Sequence, residues 1–223
     1  FGVAPRFADI PIEGIRRIEA MDIAFARELG YTIKLLAVAK DGRDAIEARV
    51  HPTMIPNGHL LADVSGPFNA IFVRGSALGP TMYYGQGAGS LPTATAVIAD
   101  LVAAVRDRQV GTGVRVPPWG VPSKALRRVP IRKLAELEGE YYLRFMALDR
   151  PGVLARIAGV LGRFDISIAS VIQKDRRAGT TVPIVIRTHR ARERNLARAL
   201  AQIDRMAAVR GKAVSIRIEE QLG

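Results

Sequence analysis

The spacing of apolar residues changes along the chain, and it is clearest after residue 140. Tyr141, Leu143, Phe145 and Ala147 alternate with their neighbours, which predicts a strand. Asp149-Arg150-Pro151-Gly152 then turns the chain into a helix whose apolar positions are Val153, Leu154, Ile157, Val160, Leu161 and Phe164, all on one face. Residues 166–174 read as a second strand, and Arg177-Ala178-Gly179 as a hairpin connection. Val182, Ile184 and Ile186 mark a third strand, Leu196, Leu200, Ile203 and Ala207 a second helix, and Val214, Ile216 and Ile218 a fourth strand. The order βαββαβ predicts a ferredoxin-like split unit.

The earlier part mixes strand and helix without a regular βαβ rhythm, which predicts an α+β layer with a mixed sheet. Residues 11–29 carry a helical pattern through Ile15, Ile18, Met21, Ile23 and Leu29, stopped by Gly30. Residues 31–39 read as a buried strand, Asp41-Gly42 as a turn, and 45–51 as its partner. Phe68–Val73 and Thr81–Tyr84 give two short strands, and residues 92–108 a helix with Val97, Leu101 and Val105 on one side. From 111 to 138, Gly111, Gly113, Pro117, Pro118, Gly120, Pro122 and Pro130 break any period. This stretch reads as a linker, with the lone Trp119 as a packing peg.

Two turns have the makings of anion sites. Tyr84-Gly85-Gln86-Gly87-Ala88-Gly89-Ser90-Leu91-Pro92-Thr93 runs small residues straight into a helix. Glycines let a ligand approach the backbone, and free N–H groups at a helix start favour negative charge. The same pattern also serves as a tight turn or a close packing contact, and the dinucleotide fingerprint has a different spacing. At the second turn, Gly152 with the N–H groups of Val153 and Leu154 could receive a carboxylate, or the turn could simply start a helix with Pro near its beginning.

Other chemistry is sparse. Of the three histidines, His51 precedes Pro52 at an expected strand end and reads as a turn stabiliser. His59 is the second, and His189, beside arginines near a loop, has no partner signal, so neither a metal site nor a Ser-His-Asp triad is expected. Lys34 stands mid-strand and needs an acidic partner if it points inward. With no Cys, disulfides and thiol chemistry are excluded, which fits a reducing cytoplasm. No apolar run approaches the ~20 residues of a membrane-spanning helix.

A formal charge of +12 and a pI near 10.8 raise the question of nucleic acid. From residue 141 onward there are 16 Lys and Arg against 7 Asp and Glu, so most of the excess sits there. Arg192, Arg194, Arg198 and Arg205 are spread along a helix whose other face is apolar, the pattern of a solvated face. Aromatics make up only 6% and no zinc spacing occurs, so neither a nucleic-acid nor a membrane partner is expected.

Several linked segments together resemble homoserine dehydrogenase. They are Glu13-Gly14-Ile15, Gly30-Tyr31-Thr32-Ile33-Lys34-Leu35-Leu36-Ala37, Arg49-Val50-His51-Pro52-Thr53-Met54-Ile55-Pro56 and Asn69-Ala70-Ile71-Phe72-Val73, ending in the glycine run. Separately, Leu148-Asp149-Arg150-Pro151-Gly152-Val153-Leu154 and Phe164-Asp165-Ile166-Ser167-Ile168 resemble an ACT domain, with Asp165 where that family often has Asn.

The resemblance implies a partial substrate and dimerisation domain over 1–110, a linker over 111–138 and an ACT regulatory domain over 139–223. It implies an enzyme that interconverts aspartate 4-semialdehyde and homoserine with NADP or NAD. Gly87, Gly89 and Ser90 would lie near the cofactor, and the helix after them would return to a nucleotide-binding half. Asp149, Gly152, Val153, Leu154 and Ile166 would face an amino-acid effector, threonine by resemblance. The family's acid lysine ends an Asp-x-x-Gly-x-Asp-x-x-x-Lys motif that occurs nowhere in these 223 residues; Asp41-Gly42-Arg43-Asp44 matches it only briefly. The expectation is therefore the C-terminal part of a longer enzyme, inactive alone and assembled as a homodimer or homotetramer. A non-enzymatic amino-acid sensor that pairs through its ACT domain is the alternative.

Overall fold

The computed structural model describes residues 1–42, 44–111, 120, 122–174 and 180–220. Trp119, Gly113 and the Arg177-Ala178-Gly179 connection lie outside the described residues. In chain order the elements are α1 (Ala20–Glu28), β1 (Tyr31–Lys40), β2 (Glu47–Pro56), β3 (Phe68–Gly75), β4 (Gly79–Gln86) and α2 (Ser90–Gln109). They continue with β5 (Glu138–Leu148), α3 (Val153–Arg163), β6 (Ile168–Ile172), β7 (Thr181–Thr188), β8 (Ala191–Arg192), α4 (Glu193–Ile203) and β9 (Val209–Ile218). The fold is α+β, as the mixed periodicity predicts. No helix among the described residues is long and apolar enough to cross a membrane.

The chain divides into two compact units. The larger holds Arg6–Asn57 and Pro130–Leu222, and the smaller holds Phe1–Pro5 and Gly58–Val129.

In the larger unit β5, α3, β6, β7, α4 and β9 form the expected βαββαβ arrangement, with strand order β9-β5-β7-β6. The hairpin β1–β2 extends that sheet through a parallel pairing of β2 with β9, and the short β8 pairs with β5. β5 is buried on both faces. Tyr141, Leu143, Phe145 and Ala147 pack with Ile157, Leu161, Leu196 and Ile203 of α3 and α4. Tyr142 packs on the other side with Phe25 and Ala26 of α1 and with Val185 and Ile216.

Arg144 is buried on that second side as well. Its Nε donates to Asp22 Oδ1 at 2.6 Å and its Nη2 to Asp22 Oδ2 at 3.1 Å, while the Tyr142 hydroxyl donates to Asp22 Oδ1 at 2.9 Å. Glu19 adds an ion pair at 3.1 Å from the exposed edge. Burial works against the Arg144 charge, and the hydrogen bonds and charge of Asp22 and Glu19 outweigh it. Asp22 also caps its own helix, accepting from the Glu19 N–H at 2.9 Å.

Several expectations shift. The helix begins at Ala20, not near residue 11. Residues before it run extended beside β2, with the Glu13 N–H donating to Val50 O and the Val50 N–H to Pro11 O. Once those backbone groups are paired in this way, helix no longer serves them. β1 is half-buried rather than buried because it is the sheet's edge, and Leu35 stays exposed. β2 extends to Pro56, so His51 is a buried mid-strand residue instead of a turn stabiliser. The second strand of the βαββαβ unit starts at Ile168. Ile166 precedes it, and its side chain lies in the core.

Two stability predictions follow from these contacts. Asp22→Ala leaves a buried guanidinium without its carboxylate and should cost roughly 3–5 kcal/mol in urea unfolding, most of it recovered when Arg144→Met is added. Asp165 is exposed and left-handed at φ 58°. Asp165→Val should lower stability by roughly 1–2 kcal/mol, and Asp165→Asn should leave it unchanged or slightly raised.

Candidate functional site

The glycine run lies in the smaller unit. β3 and β4 form an antiparallel hairpin, with Phe68 stacked on Tyr84 at 4.8 Å and His59 edge-on to Phe72 at 4.9 Å. Gly87 follows β4, its N–H donating to Pro67 O at 3.0 Å. Gly89 is the N-cap of α2 at φ 114°, ψ 151°, a region essentially restricted to glycine, and its carbonyl accepts from Thr93 N–H at 3.2 Å. Ser90 opens the helix as its first residue. Gly87, Gly89 and Ser90 are thus adjacent and exposed at a 20-residue helix start.

Gly87 also has an internal reason to be glycine, since a methyl group there would sit 1.8 Å from Asn69 Nδ2. The close approach is made to Asn69 of β3, which sequence spacing does not reveal. α2 buries none of its residues, and its expected apolar stripe is open, with Val97, Leu101 and Val105 all more than half exposed.

The second turn lies in the larger unit, where β5 ends and α3 begins. Gly152 is the N-cap of α3 in the left-handed region at φ 82°, with open space where a side chain would stand. The Arg156 N–H donates to its carbonyl at 3.1 Å, and the Val153 N–H donates to Arg150 O at 3.3 Å. The Val153 side chain is buried in the core and Leu154 packs half-buried against it. Of the five expected effector residues, Val153 and Ile166 therefore offer no side-chain surface.

Asp149 offers something that the spacing does not announce. Its backbone N–H is held by Thr180 O at 2.9 Å, while its Oδ2 is buried with no hydrogen-bond partner among the described residues. A buried carboxylate oxygen without a donor is costly. Next to a helix start, the pair of features suits a zwitterion: ammonium toward Asp149, carboxylate toward the helix N-terminus. Among the described residues no group of three or more His, Asp or Glu could hold a metal ion.

The close approach at Gly87 is directly testable. Gly87→Ala should push the exposed Asn69 amide aside at a cost of no more than about 1 kcal/mol, and Gly87→Ala with Asn69→Ala should remove even that. Urea unfolding of the two variants measures both effects.

Two family models match the chain: Homoserine dehydrogenase over residues 1–102 and ACT domain over residues 141–207. The homoserine dehydrogenase of Pseudomonas aeruginosa is 41% identical over 221 residues, covering 99% of this chain and 51% of that protein. The one of Neisseria gonorrhoeae is 41% identical over 219 residues, covering 98% and 50%. The crystal structure of a homoserine dehydrogenase from Thiobacillus denitrificans superposes with a TM-score of 0.85 at 43% identity, across 99% of this chain and 50% of that one. The chain thus spans about half the length of the relatives it matches, and over that span it belongs to the homoserine dehydrogenase family, with an ACT domain following the family's own segment.

Proposed function

We propose that this chain is the C-terminal part of an NAD(P)-dependent homoserine dehydrogenase, which interconverts aspartate 4-semialdehyde and homoserine in the cytoplasm. The observation that carries the reading is the 41% identity to an enzyme of that name across 99% of the chain. Hydride chemistry belongs to the nicotinamide, and the protein supplies position and polarity. In this reading Gly87, Gly89 and Ser90 border the cofactor, and the open apolar side of α2 packs on the nucleotide-binding half. A second copy pairs through residues 1–80. The exposed Ile71 and Tyr83, cross-strand neighbours on one face of the β3–β4 hairpin, support that pairing.

The ACT domain senses an amino acid in this reading, threonine as feedback effector. Support comes from the unpartnered Asp149 oxygen beside the Gly152 helix start. Gly152→Asp is a poor probe of this, because φ 82° strains any L side chain there. Asp149→Asn is cleaner.

The 223 residues alone should give no NADPH from homoserine and NADP, since the acid-lysine motif is not among them. Joined to its upstream half the enzyme should turn over, and failure of the joined enzyme to do so would overturn the assignment. Turnover by the chain alone would overturn its expected inactivity. In the joined enzyme Asp149→Asn should raise the threonine concentration for half inhibition at least tenfold while leaving the uninhibited rate in place, about 1.4 kcal/mol of lost effector binding. Unchanged inhibition would remove Asp149 from the site.

A further inference from the structure

The joint between β2 and β9 is short. It pairs Thr53 with Arg217 and Met54 with Ile218, and the Glu219 N–H donates to Met54 O at 3.0 Å. A two-pair parallel contact contributes little by itself, yet it fastens the β1–β2 hairpin to the ACT strands. Beside it sits His51, only 1% exposed.

The protonation state of His51 is dictated by its neighbours. Arg49 Nε lies 3.0 Å from His51 Nε2, and a guanidinium N–H can only donate, so Nε2 carries a lone pair. Nδ1 lies 3.0 Å from Pro52 O, which can only accept, so Nδ1 carries the proton. The Thr53 hydroxyl donates to His51 O and accepts comfortably from the same Nδ1–H. The ring is held as one neutral tautomer.

The surrounding charges are already matched. On β2 itself Arg49 pairs with Glu47 at 2.8 Å, and it reaches Glu219 beyond β9. Lys40 at the end of β1 pairs with the same Glu219 at 2.8 Å, and Arg132 reaches Glu47 at 3.4 Å. From β9, Arg217 pairs with Glu193 of α4 and with Glu13 of the extended segment, both at 2.6 Å. Tyr141 of β5 donates to Glu193 at 2.8 Å. On β1, Leu36 lies opposite His51, and Lys34 lies two residues along, opposite Thr53. Glu13, Glu47, Glu193 and Glu219 are thus already engaged by Lys40, Arg49, Arg132 and Arg217, and a charged His51 would compete with them for a carboxylate.

We propose that the β2–β9 joint is an acid-sensitive latch, closed while His51 is a neutral Nδ1–H imidazole and released when Nε2 takes a proton. A proton on Nε2 would face the Arg49 Nε–H donor to donor and add a cation between two guanidinium groups. Burial, helped by Arg217 and Arg49 and opposed by the Pro52 hydrogen bond and the Glu13 charge, pushes the His51 pKa down from 6.5 to about 4 in the closed form. An opened joint takes up a proton between those values that the closed joint refuses. Closure is therefore at full strength above pH 6.5 and weakens as the pH falls toward 4. This holds whether or not the chain is an enzyme.

Hydrogen exchange on the intact chain tests it, read as protection corrected for intrinsic rate. Protection of the Glu219 amide should drop about thirtyfold between pH 8 and pH 5, the linkage expected from those two values. The Phe145 and Val185 amides, in the β5–β7 ladder, should hold. His51→Gln keeps an acceptor for Arg49 without a titrating ring and should flatten the Glu219 response. An unchanged Glu219 amide, an equal fall at all three amides, or a persisting acid response in His51→Gln would overturn the proposal. Should that variant not fold, ring-nitrogen NMR of the unaltered chain decides. The neutral Nδ1–H form should persist at pH 5, and ordinary titration near 6.5 with the Glu219 amide still protected would overturn it.

Discussion

One carboxylate under the central sheet organises much of the larger unit. β5 alternates like any strand, so filling one face with Tyr141, Leu143 and Phe145 sends Tyr142 and Arg144 to the other. A guanidinium on that face needs either water or an acid, and Asp22 of α1 supplies the acid with both oxygens. The helix that brings Asp22 also brings Phe25 and Ala26 over Val185 and Ile216, which closes the second face. A sheet that could have been wet on one side becomes the middle of three layers. The segment matching homoserine dehydrogenase and the one matching the ACT domain share that interior.

The βαββαβ unit was legible because each element buries one face and prints its period in the sequence. Its other sheet face was not. Tyr142 and Arg144 have the composition of a solvated strand edge, and only the fold reveals that α1, more than a hundred residues earlier, covers them. The extent of β2 was hidden by Pro52 and Pro56, residues that usually end a strand. Pairing with β9 begins only after Pro52, where the missing N–H is no longer at issue. The candidate turns were placed correctly in the chain, but the sequence could not show that Asn69 fills the space beside Gly87. Nor could it show that Asp149 keeps an oxygen unpaired among the described residues.

The two buried ionic groups do different work. Arg144–Asp22 orients a helix on a sheet already fixed by long antiparallel ladders. The cluster around His51, Arg49 and Arg217 acts where the backbone contact is only two residue pairs long. Such a short parallel contact specifies its register weakly, and a slip of one residue would turn the β2 side chains to the opposite face. Arg217 reaching Glu13, with Arg49 reaching Glu219, makes the slipped arrangement strand these charges. Charge pairing thus sets a position that hydrogen bonding alone would leave loose.

The sheet places an early hairpin beside the last strand, and this bears on how the chain is made. Arg49 and its partner Glu219 are 170 residues apart. At about 5–20 residues per second, a ribosome takes on the order of ten seconds or more to cover that distance. Through that interval the β1–β2 hairpin exists without its neighbour, with one margin of β2 open to other strands. The prolines within it, each lacking a donor, make that margin a poor template for stray pairing. The nascent chain is guarded during synthesis by the same residues that obscured the strand in the sequence.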